Sequence, residues 1–456
     1  MTLIIITMLV LAYLLIATGH LTGVNKAAIA MFLGTVGWVV YVCWGTDFVM
    51  SRHPDEYMEW LNGAMPSSES VKLFIYNNVF LNYVGRSAAI VMFLLATMSI
   101  VELLNNNGCF DFIKEWIRTR NSKRLLWTIT LATFILSANL DNLTTTTMML
   151  VIMRSIVQNS RQRMYVGAAI VLAANCGGCF TVIGDPTGLI LWGDGAVTAS
   201  HFSAFLFLPA LLAWGIPTIL INRELPDRLD TAWSPSPYRG DDTRLNRWQR
   251  VVMLIVGIGG LWFIPTFHSI TKLAPFLGAL CVLSVLWIVN EAFNRKLINA
   301  DPMTQRRIPM SLQYGVLQQL LFVMGIMLGM GVVTETGVWS DVATWFDTYI
   351  HDFWLMGIGA GLLSSVVDSF TIAISNISLY TVGVGDVGTN GAYWSITAFT
   401  TAVGGCLLSV GSVSGLALMR AEHVTLGWYI KHLTPKVLLG WLAGYVCLWM
   451  ELNLIV

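Results

Sequence analysis

Residues 137 to 147 read Ser-Ala-Asn-Leu-Asp-Asn-Leu-Thr-Thr-Thr-Thr, and they interrupt an apolar stretch that runs from Leu125 to Met153 without any other charged side chain. An ionisable group at membrane depth is costly unless it faces protein or water, so Asp141 is a candidate functional residue. Asn142 and the threonines after it add further oxygen atoms at the same depth. The stretch therefore predicts a polar site inside a membrane protein.

The composition of the whole chain agrees with this interpretation. Hydrophobic residues make up 55% of its 456 residues and charged residues only 11%, which is typical of an integral membrane protein whose partner is the lipid bilayer. The 26 basic and 26 acidic residues cancel, so no basic surface suggests a nucleic-acid partner. The length allows about ten membrane spans with short loops.

Hydropathy divides the chain into simple spans and two interrupted stretches. The interrupted stretches, near 125–153 and 351–382, each carry polar residues at the middle, and the segment 71–84 is expected to be a separate interfacial helix. Asp194 and Glu335 are expected in loops. The simple spans are predicted near 3–20, 27–45, 87–105, 165–197, 203–221, 251–268, 274–292, 314–333, 394–419 and 437–454.

Basic residues predict the course of the two interrupted stretches, because Lys and Arg are enriched in cytoplasmic loops. Lys123 and Arg124 precede the first stretch and Arg154 follows it, so both of its ends are predicted to be cytoplasmic. The second lies in a region, 308–419, that has no Lys or Arg, so both of its ends are predicted to be external. Each stretch is therefore predicted to be a re-entrant hairpin, and the two enter from opposite faces.

An internal repeat relates the two hairpins. Ser137, Asp141 and Thr144 each have an identical residue 227 positions later, and the same offset aligns the glycine-rich segment at 177–191 with that at 404–418. An odd number of spans in each copy turns the second copy upside down. We therefore predict an all-α integral membrane protein with two inverted repeats of five transmembrane helices, each with one re-entrant hairpin and one broken helix.

The predicted domain boundaries follow from the repeat. The first inverted repeat covers residues 1–222, a cytoplasmic linker covers 223–250, and the second repeat covers 251–456. The hairpin tips at Asp141 and Asp368 are expected to meet the helix breaks near 175–188 and 403–415.

The breaks and tips predict the chemistry of the site. Main chain without helical hydrogen bonds is tolerated at membrane depth only when protein or a water-filled cavity surrounds it. Freed carbonyls, carboxylates, amides and hydroxyls are hard oxygen donors that suit a small hard cation. The predicted ion ligands are Asp141, Asn142, Thr144, Asn175, Asp185, Thr187, Asp368 and Ser369.

The aspartates are also expected to couple the ion to a proton. Desolvation favours a neutral carboxyl group and a nearby cation favours the charged one, so a proton and sodium compete for the same carboxylate. Asp141, Asp185 and Asp368 are the predicted coupling residues, with Glu102 as a possible proton-access group. Na⁺ and H⁺ would then be the transported ions, and no cofactor and no catalytic residue is expected.

Each of these assignments has a structural alternative. The threonines can return hydrogen bonds to helix carbonyls, the glycines can serve close helix packing, and Asp185 before Pro186 can be a helix cap. Glu102 can simply be solvated at the end of its span.

Several short segments resemble one known family. They are Leu140-Asp141-Asn142-Leu143-Thr144-Thr145, Ala174-Asn175, Gly177-Gly178 and Ile183-Gly184-Asp185-Pro186-Thr187, followed by Leu191-Trp192. In these residues the chain is similar to the NhaD-type sodium/proton antiporters of the ion transporter superfamily.

The resemblance implies a homodimer in the inner membrane, with a scaffold domain and a transport domain that moves like an elevator. It also implies functional roles for Asp141, Asn175, Asp185, Thr187 and Asp368, with Glu102 as a possible addition. The second half departs from the family pattern, because Ser369-Phe370 follows Asp368 and Ser412 stands opposite Asp185.

Three functions remain open on the sequence. The first is an antiporter that exchanges cytoplasmic Na⁺ for external H⁺. The second is a sodium-coupled symporter of an anion such as a di- or tricarboxylate, which would favour uncharged hairpin tips. The third is an intramembrane aspartyl protease, because Gly383-Val384-Gly385-Asp386 matches a GxGD string, and it would need Asp386 to be buried beside a second aspartate.

Overall fold

The computed structural model describes residues 1–44, 46–117, 119–231, 245–298 and 315–454. Within these ranges the regular structure is helical, with a few isolated β-bridges and no strand, so the all-α prediction is confirmed. Residues 232–244 of the predicted linker lie outside the described ranges.

The first part of the chain contains α1 (Thr2–Ala17), α2 (Gly19–Thr22), α3 (Lys26–Trp44), α4 (Thr46–Arg52), α5 (Pro54–Leu61), α6 (Ser68–Asn106), α7 (Asp111–Trp116), α8 (Ser122–Ser137), α9 (Asn142–Ile156), α10 (Ser160–Cys179), α11 (Pro186–Gly193) and α12 (Ala199–Asn222). The second part contains α13 (Arg247–Thr271), α14 (Pro275–Ile298), α15 (Gly315–Glu335), α16 (Val338–Tyr349), α17 (Phe353–Val366), α18 (Ser369–Leu379), α19 (Ala392–Gly404), α20 (Val413–Glu422), α21 (Leu426–His432) and α22 (Thr434–Leu454).

In the described ranges, seven helices are long and apolar enough to cross a membrane. They lie at Lys26–Trp44, Ser68–Asn106, Ala199–Asn222, Arg247–Thr271, Pro275–Asn294, Leu317–Glu335 and Thr434–Leu454. Other predicted spans are divided into shorter helices: 165–197 becomes α10 and α11, and 394–419 becomes α19 and α20. The chain is thus a multi-pass membrane protein with a helix break at each predicted position.

The segment 71–84, expected to be an interfacial helix apart from the span at 87–105, is continuous with that span. This segment is part of α6, a continuous helix of 39 residues that includes a π-helical turn at Ile75–Phe80. Apolar residues such as Val71, Phe74 and Val79 are buried on one side of it, so its polar and charged neighbours do not end the helix.

The described chain forms two compact units. Unit 1 comprises Met1–Met92, Gly315–Asp352 and Ile374–Thr381, and unit 2 comprises Phe93–Tyr314, Phe353–Ala373 and Val382–Val456. Each unit takes segments from both predicted repeats, so this division does not test the repeat boundaries, which stay a prediction.

In unit 1, α3 and α15 pack closely because glycines bring their main chains together. A Cβ atom on Gly34 would lie 2.9 Å from the carbonyl oxygen of Gly325, and a Cβ on Gly325 would lie 2.5 Å from the carbonyl carbon of Ala30. Small residues allow this kind of approach between membrane helices.

We expect Gly325→Ala to lower the free energy of unfolding by about 1–3 kcal/mol, because the added methyl group must push two main chains apart. Thermal unfolding of the purified protein in detergent measures this loss. Gly85→Ala is the matched control, since no heavy atom lies within 4 Å of a Cβ atom built there. Equal melting temperatures for the two variants would contradict the packing assignment.

Unit 1 also contains a polar cluster around Glu335, which is buried at the end of α15 and does not lie in a loop as the sequence suggested. One carboxylate oxygen accepts from Tyr83 Oη at 2.8 Å, and the other accepts from His53 Nε2 at 2.9 Å and Tyr41 Oη at 3.5 Å. His53 Nδ1 lies 3.1 Å from Glu56 Oε2. The hydrogen bond to Glu335 is the main cause that raises the pKa of His53 above its ordinary value of 6.5.

This pKa shift makes the stability of the protein depend on pH. Because the folded pKa of His53 is raised, its contribution is complete below about pH 6.5 and is lost as the pH rises through the raised value. We expect the melting temperature to fall over that window, and His53→Gln to flatten the fall, since glutamine keeps a donor but does not titrate. A pH series of melting temperatures for both proteins tests this, and identical slopes would contradict it.

The first hairpin, α8 and α9, returns to the place where it starts. Residues 227–231 run as an extended segment beside both of its ends: Ser122 N donates to Asp227 O at 3.1 Å, and Gln158 N donates to Asp230 O at 2.9 Å. Isolated bridges join Asn121 to Arg228 and Val157 to Thr231. Since the two bridges are only three residues apart on this segment, the two ends of the hairpin lie close together, and their cytoplasmic location stays a prediction.

Candidate functional site

Asp141 forms the tip of the first hairpin. Helix α8 ends at Ser137, α9 begins at Asn142, and Asp141 is the N-cap residue with only 4% of its surface exposed. Its Oδ2 accepts from the main-chain N–H groups of Leu143 and Thr144, both at 3.1 Å, and from Thr144 Oγ1 at 3.3 Å. These donors are the unpaired N–H groups that begin every helix, and they stabilise a buried carboxylate.

Asp185 has the same role at the first helix break. Helix α10 ends at Cys179 and α11 begins at Pro186. Proline suits the first position of a helix because it has no N–H group, and an N–H at that position would have no partner within the helix. Asp185 Oδ2 accepts from the N–H of Thr187 at 3.1 Å, and the Thr187 hydroxyl also bonds to this carboxylate. The helix-cap interpretation of Asp185 is therefore correct, and it leaves Oδ1 to face the hairpin.

Asn142 joins the hairpin tip to the break. Its Oδ1 accepts from Ser137 Oγ at 2.7 Å, and its Nδ2 donates to Asp185 Oδ1 at 3.1 Å and to Asn175 Oδ1 at 3.5 Å. A Cβ atom on Gly178 would clash with the Asn142 amide, so glycine is required where the tip meets α10. Asn142 thus contacts both Asn175 and Asp185, which the sequence assigned to the same site.

Asn175 extends the site to the second break. Its Nδ2 donates to Val171 O at 3.0 Å and to Ser412 Oγ at 3.4 Å. Ser412 stands at the start of α20, where its hydroxyl accepts from Gly415 N at 3.1 Å. A neutral serine therefore takes the structural place that Asp185 has in the first half.

The tip of the second hairpin is built in the same way but with longer bonds. Asp368 is 1% exposed, and its Oδ2 accepts from Thr371 N at 3.3 Å and Thr371 Oγ1 at 3.4 Å. Ser369 N donates to Gly411 O at 2.9 Å, which ties this tip to the second break. The carboxylates of Asp141 and Asp368 both act electrostatically on Asp185, so the three aspartates share one region of unit 2.

Equivalent contacts recur in the two halves at the offset of 227 residues. Ser137 Oγ donates to Ala174 O at 2.7 Å, and its counterpart Ser364 donates to Thr401 O at 2.6 Å. Each hydroxyl pairs a carbonyl on the last turns of the helix before a break. Sequence comparison aligned Ser137 with Ser364 but did not assign either a role.

Not every predicted residue joins the site. Glu102 is half-buried on α6, and in the described ranges no hydrogen bond or ion pair connects it to the aspartates. Thr147 Oγ1 returns a bond to Thr144 O at 3.0 Å, as the helix-carbonyl alternative proposed, whereas the hydroxyls of Thr145 and Thr146 are buried without a partner. Within the described part of the chain, no three histidine, cysteine or acidic side chains are grouped to hold a metal ion.

Comparison with known proteins identifies the family. Residues 1–404 match the sequence profile of the family described as citrate transporter. The chain belongs to the citrate transporter family. Its relatives include sodium/proton antiporter 1 of Arabidopsis thaliana, 31% identical over 356 residues, which are 78% of this chain and 60% of that protein. They also include the Na⁺/H⁺ antiporter NhaD of Vibrio cholerae, 28% identical over 387 residues, with 79% and 77% covered.

A solved transporter has a similar fold. The YdaH transporter of Alcanivorax borkumensis, whose topology is described as unusual, aligns with a TM-score of 0.56 at 12% identity, and the alignment covers 85% of this chain and 90% of that one. The family match and the antiporter relatives show that the chain is a secondary transporter and not an enzyme, and the similarity to YdaH concerns the fold alone. The position of Asp386 also contradicts the protease hypothesis, which needed this residue to be buried. Asp386 is exposed in a 3₁₀ turn, Gly385–Val387.

The two serine hydroxyls provide a matched test of the site. We expect Ser137→Ala and Ser364→Ala each to lower the free energy of unfolding by about 0.5–1.5 kcal/mol, since each removes a buried hydrogen bond to a helix carbonyl. Ser137→Ala also releases Asn142, so we expect it to slow transport about tenfold, because small misplacements of binding groups are costly.

Thermal unfolding and a vesicle transport assay on the same preparations separate the two effects. Ser364→Ala should lose stability but keep most of its transport. If both variants transported at the wild-type rate, the role of Ser137 in holding Asn142 would be refuted.

Proposed function

We propose that this member of the citrate transporter family is a sodium/proton antiporter that exchanges cytoplasmic Na⁺ for external H⁺. The observation that carries the proposal is the contact of Asn142 with Asp185, beside the buried Asp141. These carboxylates have main-chain N–H groups, amides and hydroxyls as partners, and the segments 125–153 and 164–222 contain no Lys or Arg.

The partners of the aspartates support ion exchange. A carboxylate that is paired with Lys or Arg is already neutralised, whereas one held by neutral donors keeps a charge that a cation or a proton can balance. Asp185 Oδ1 accepts from the neutral Asn142 amide, so a sodium ion and a proton would compete for this carboxylate. This competition couples the two fluxes.

The ligands available at the site suit sodium. The predicted set of Asp141, Asn142, Thr144, Asn175, Asp185, Thr187, Asp368 and Ser369 offers carboxylate, amide and hydroxyl oxygens, which hard cations prefer. The relatives named as sodium/proton antiporters in a plant and in Vibrio add support from the family. In the described ranges Glu102 forms no hydrogen bond or ion pair with these predicted ligands, so its proposed role is limited to proton access.

The way in which the site alternates between the two sides is also a proposal. The chain would contain two inverted repeats, and the residues that bind the ion all lie in unit 2, so they can move together as one body. We propose an elevator-type movement of this body in an inner-membrane homodimer. Discontinuous helices near the membrane midplane are the usual site of substrate binding in such transporters.

A sodium-coupled symporter of a di- or tricarboxylate is the alternative that the family description favours. The N-terminus of a helix is a common site for an anion. Here the N-termini of α9 and α11 are already occupied by the carboxylates of Asp141 and Asp185, which would repel an anionic substrate. The occupied helix termini therefore favour the cation antiporter.

Neutralising the two aspartates tests the proposal. We expect Asp141→Asn and Asp185→Asn each to reduce exchange at least about a hundredfold, because the charge that sodium and the proton share is removed. The assay is proton release from respiring everted vesicles on addition of sodium chloride, between pH 7 and pH 10.

Asp386→Asn is the control, since this aspartate is exposed and lies in a turn. Melting temperatures confirm that each variant folds. Full exchange by both neutralised variants would contradict the coupling role. Sodium-dependent uptake of citrate by the wild type, without proton release, would establish the symporter instead.

A further inference from the structure

The two helix breaks differ in how their main-chain carbonyl groups are paired, and this difference has a functional consequence. We propose that Tyr429 and Thr434 are positioning residues that close the second break to sodium, so that each chain binds a single sodium ion, at the first break. The inference rests on the proposed antiport function and adds the number of ions and the residues that set it.

In the second break, two carbonyl oxygens that follow α19 accept hydrogen bonds from side-chain hydroxyls. Tyr429 Oη donates to Cys406 O at 2.9 Å, and Thr434 Oγ1 donates to Leu407 O at 2.6 Å. Tyr429 is 1% exposed, so its hydroxyl is held in place by packing. The helix end is thereby closed from within the protein.

The offset of 227 residues places phenylalanines at both positions in the first half. Phe202 is the counterpart of Tyr429, and Phe207 is the counterpart of Thr434. Phe207 contacts the ring of Phe180, with 5.3 Å between ring centroids, where Thr434 instead bonds to a carbonyl oxygen. In the described ranges no hydroxyl donates to the carbonyl oxygens of Cys179 or Phe180, the counterparts of Cys406 and Leu407.

A hydroxyl on a carbonyl oxygen opposes cation binding. The donated hydrogen carries a positive partial charge and occupies the direction of a lone pair, where a cation would otherwise coordinate. Carbonyl oxygens without such a donor remain available to a hard ion such as sodium. The first break therefore offers ligands that the second break lacks.

The charges of the two breaks also favour sodium binding at the first break. Asp185 caps the start of α11 and so places a carboxylate at the first break, where it interacts electrostatically with Cys179. Its counterpart Ser412 is neutral, and its hydroxyl already accepts from Gly415 N. The Ser409 hydroxyl in the second break is buried without a hydrogen-bond partner, but one neutral oxygen is a weak site for a cation.

The experiment counts bound sodium ions on the purified protein by equilibrium binding of radioactive sodium. We expect one ion per chain for the wild type. Phe202→Tyr gives the first break a hydroxyl equivalent to that of Tyr429, which closes the second break. We therefore expect it to weaken sodium binding at least tenfold and to raise the half-maximal sodium concentration for exchange by a similar factor. Phe112→Tyr, at an exposed position, is the matched control with unchanged binding.

The reverse change tests the role of Tyr429 directly. Tyr429→Phe combined with Ser412→Asp gives the second break the residues of the first, and we expect a second bound ion. Two ions bound to the wild type, unchanged affinity in a folded Phe202→Tyr variant, or a folded double variant that still binds one ion would each overturn the inference.

Failure of the inference is distinct from failure of the proposed function. A wild type that binds no sodium and shows no sodium-dependent proton release refutes the antiporter itself. If the melting curve shows that one variant does not fold, the number of sodium ions bound to the wild type and the result for the other variant decide whether the inference holds.

Discussion

A main-chain polar group that faces lipid cannot remain unpaired, and this constraint accounts for the capping residues at the tips and breaks of unit 2. The chain interrupts its helices at two tips and two breaks, and each interruption exposes N–H and C=O groups at membrane depth. Asp141, Asp185, Asp368 and Ser412 accept from the N–H groups that begin the next helix. Ser137 and Ser364 donate a further hydrogen bond to carbonyl groups on the facing helices. The site is thus built from residues that the broken helices need in any case.

The same constraint distinguishes structural carboxylates from those available to an ion. Glu422 binds both Arg154 and Arg163 at 2.7 Å, so the protein itself neutralises it, and Glu335 accepts hydrogen bonds from two tyrosines and from His53, which balances its charge when protonated. Asp185 accepts hydrogen bonds from the neutral groups of Asn142 and Thr187. A buried carboxylate with neutral partners is costly unless a proton or a cation completes it.

The sequence located the tips and breaks better than it predicted the packing around them. The tips and breaks could be located because polar residues in apolar stretches are rare, and because the 227-residue offset made each half a check on the other. Glu335 could not be placed, since a glutamate at the end of an apolar span looks the same whether water or His53 faces it. The length of α6 was missed because its first turns carry polar residues on one side only. Tyr429 and Phe202 gained meaning only when Cys406 O was seen to accept from Tyr429.

The extended segment at 227–231 changes where the chain can be divided into halves. The predicted repeat boundary lies after Asn222, but Asp227, Leu229 and Asp230 form main-chain hydrogen bonds with both ends of the first hairpin. A protein produced as two separate polypeptides would therefore need its first fragment to extend at least to Thr231, which bridges Val157. A cut after Asn222 would give this segment to the wrong fragment and leave the hairpin ends without the backbone partner that holds them together.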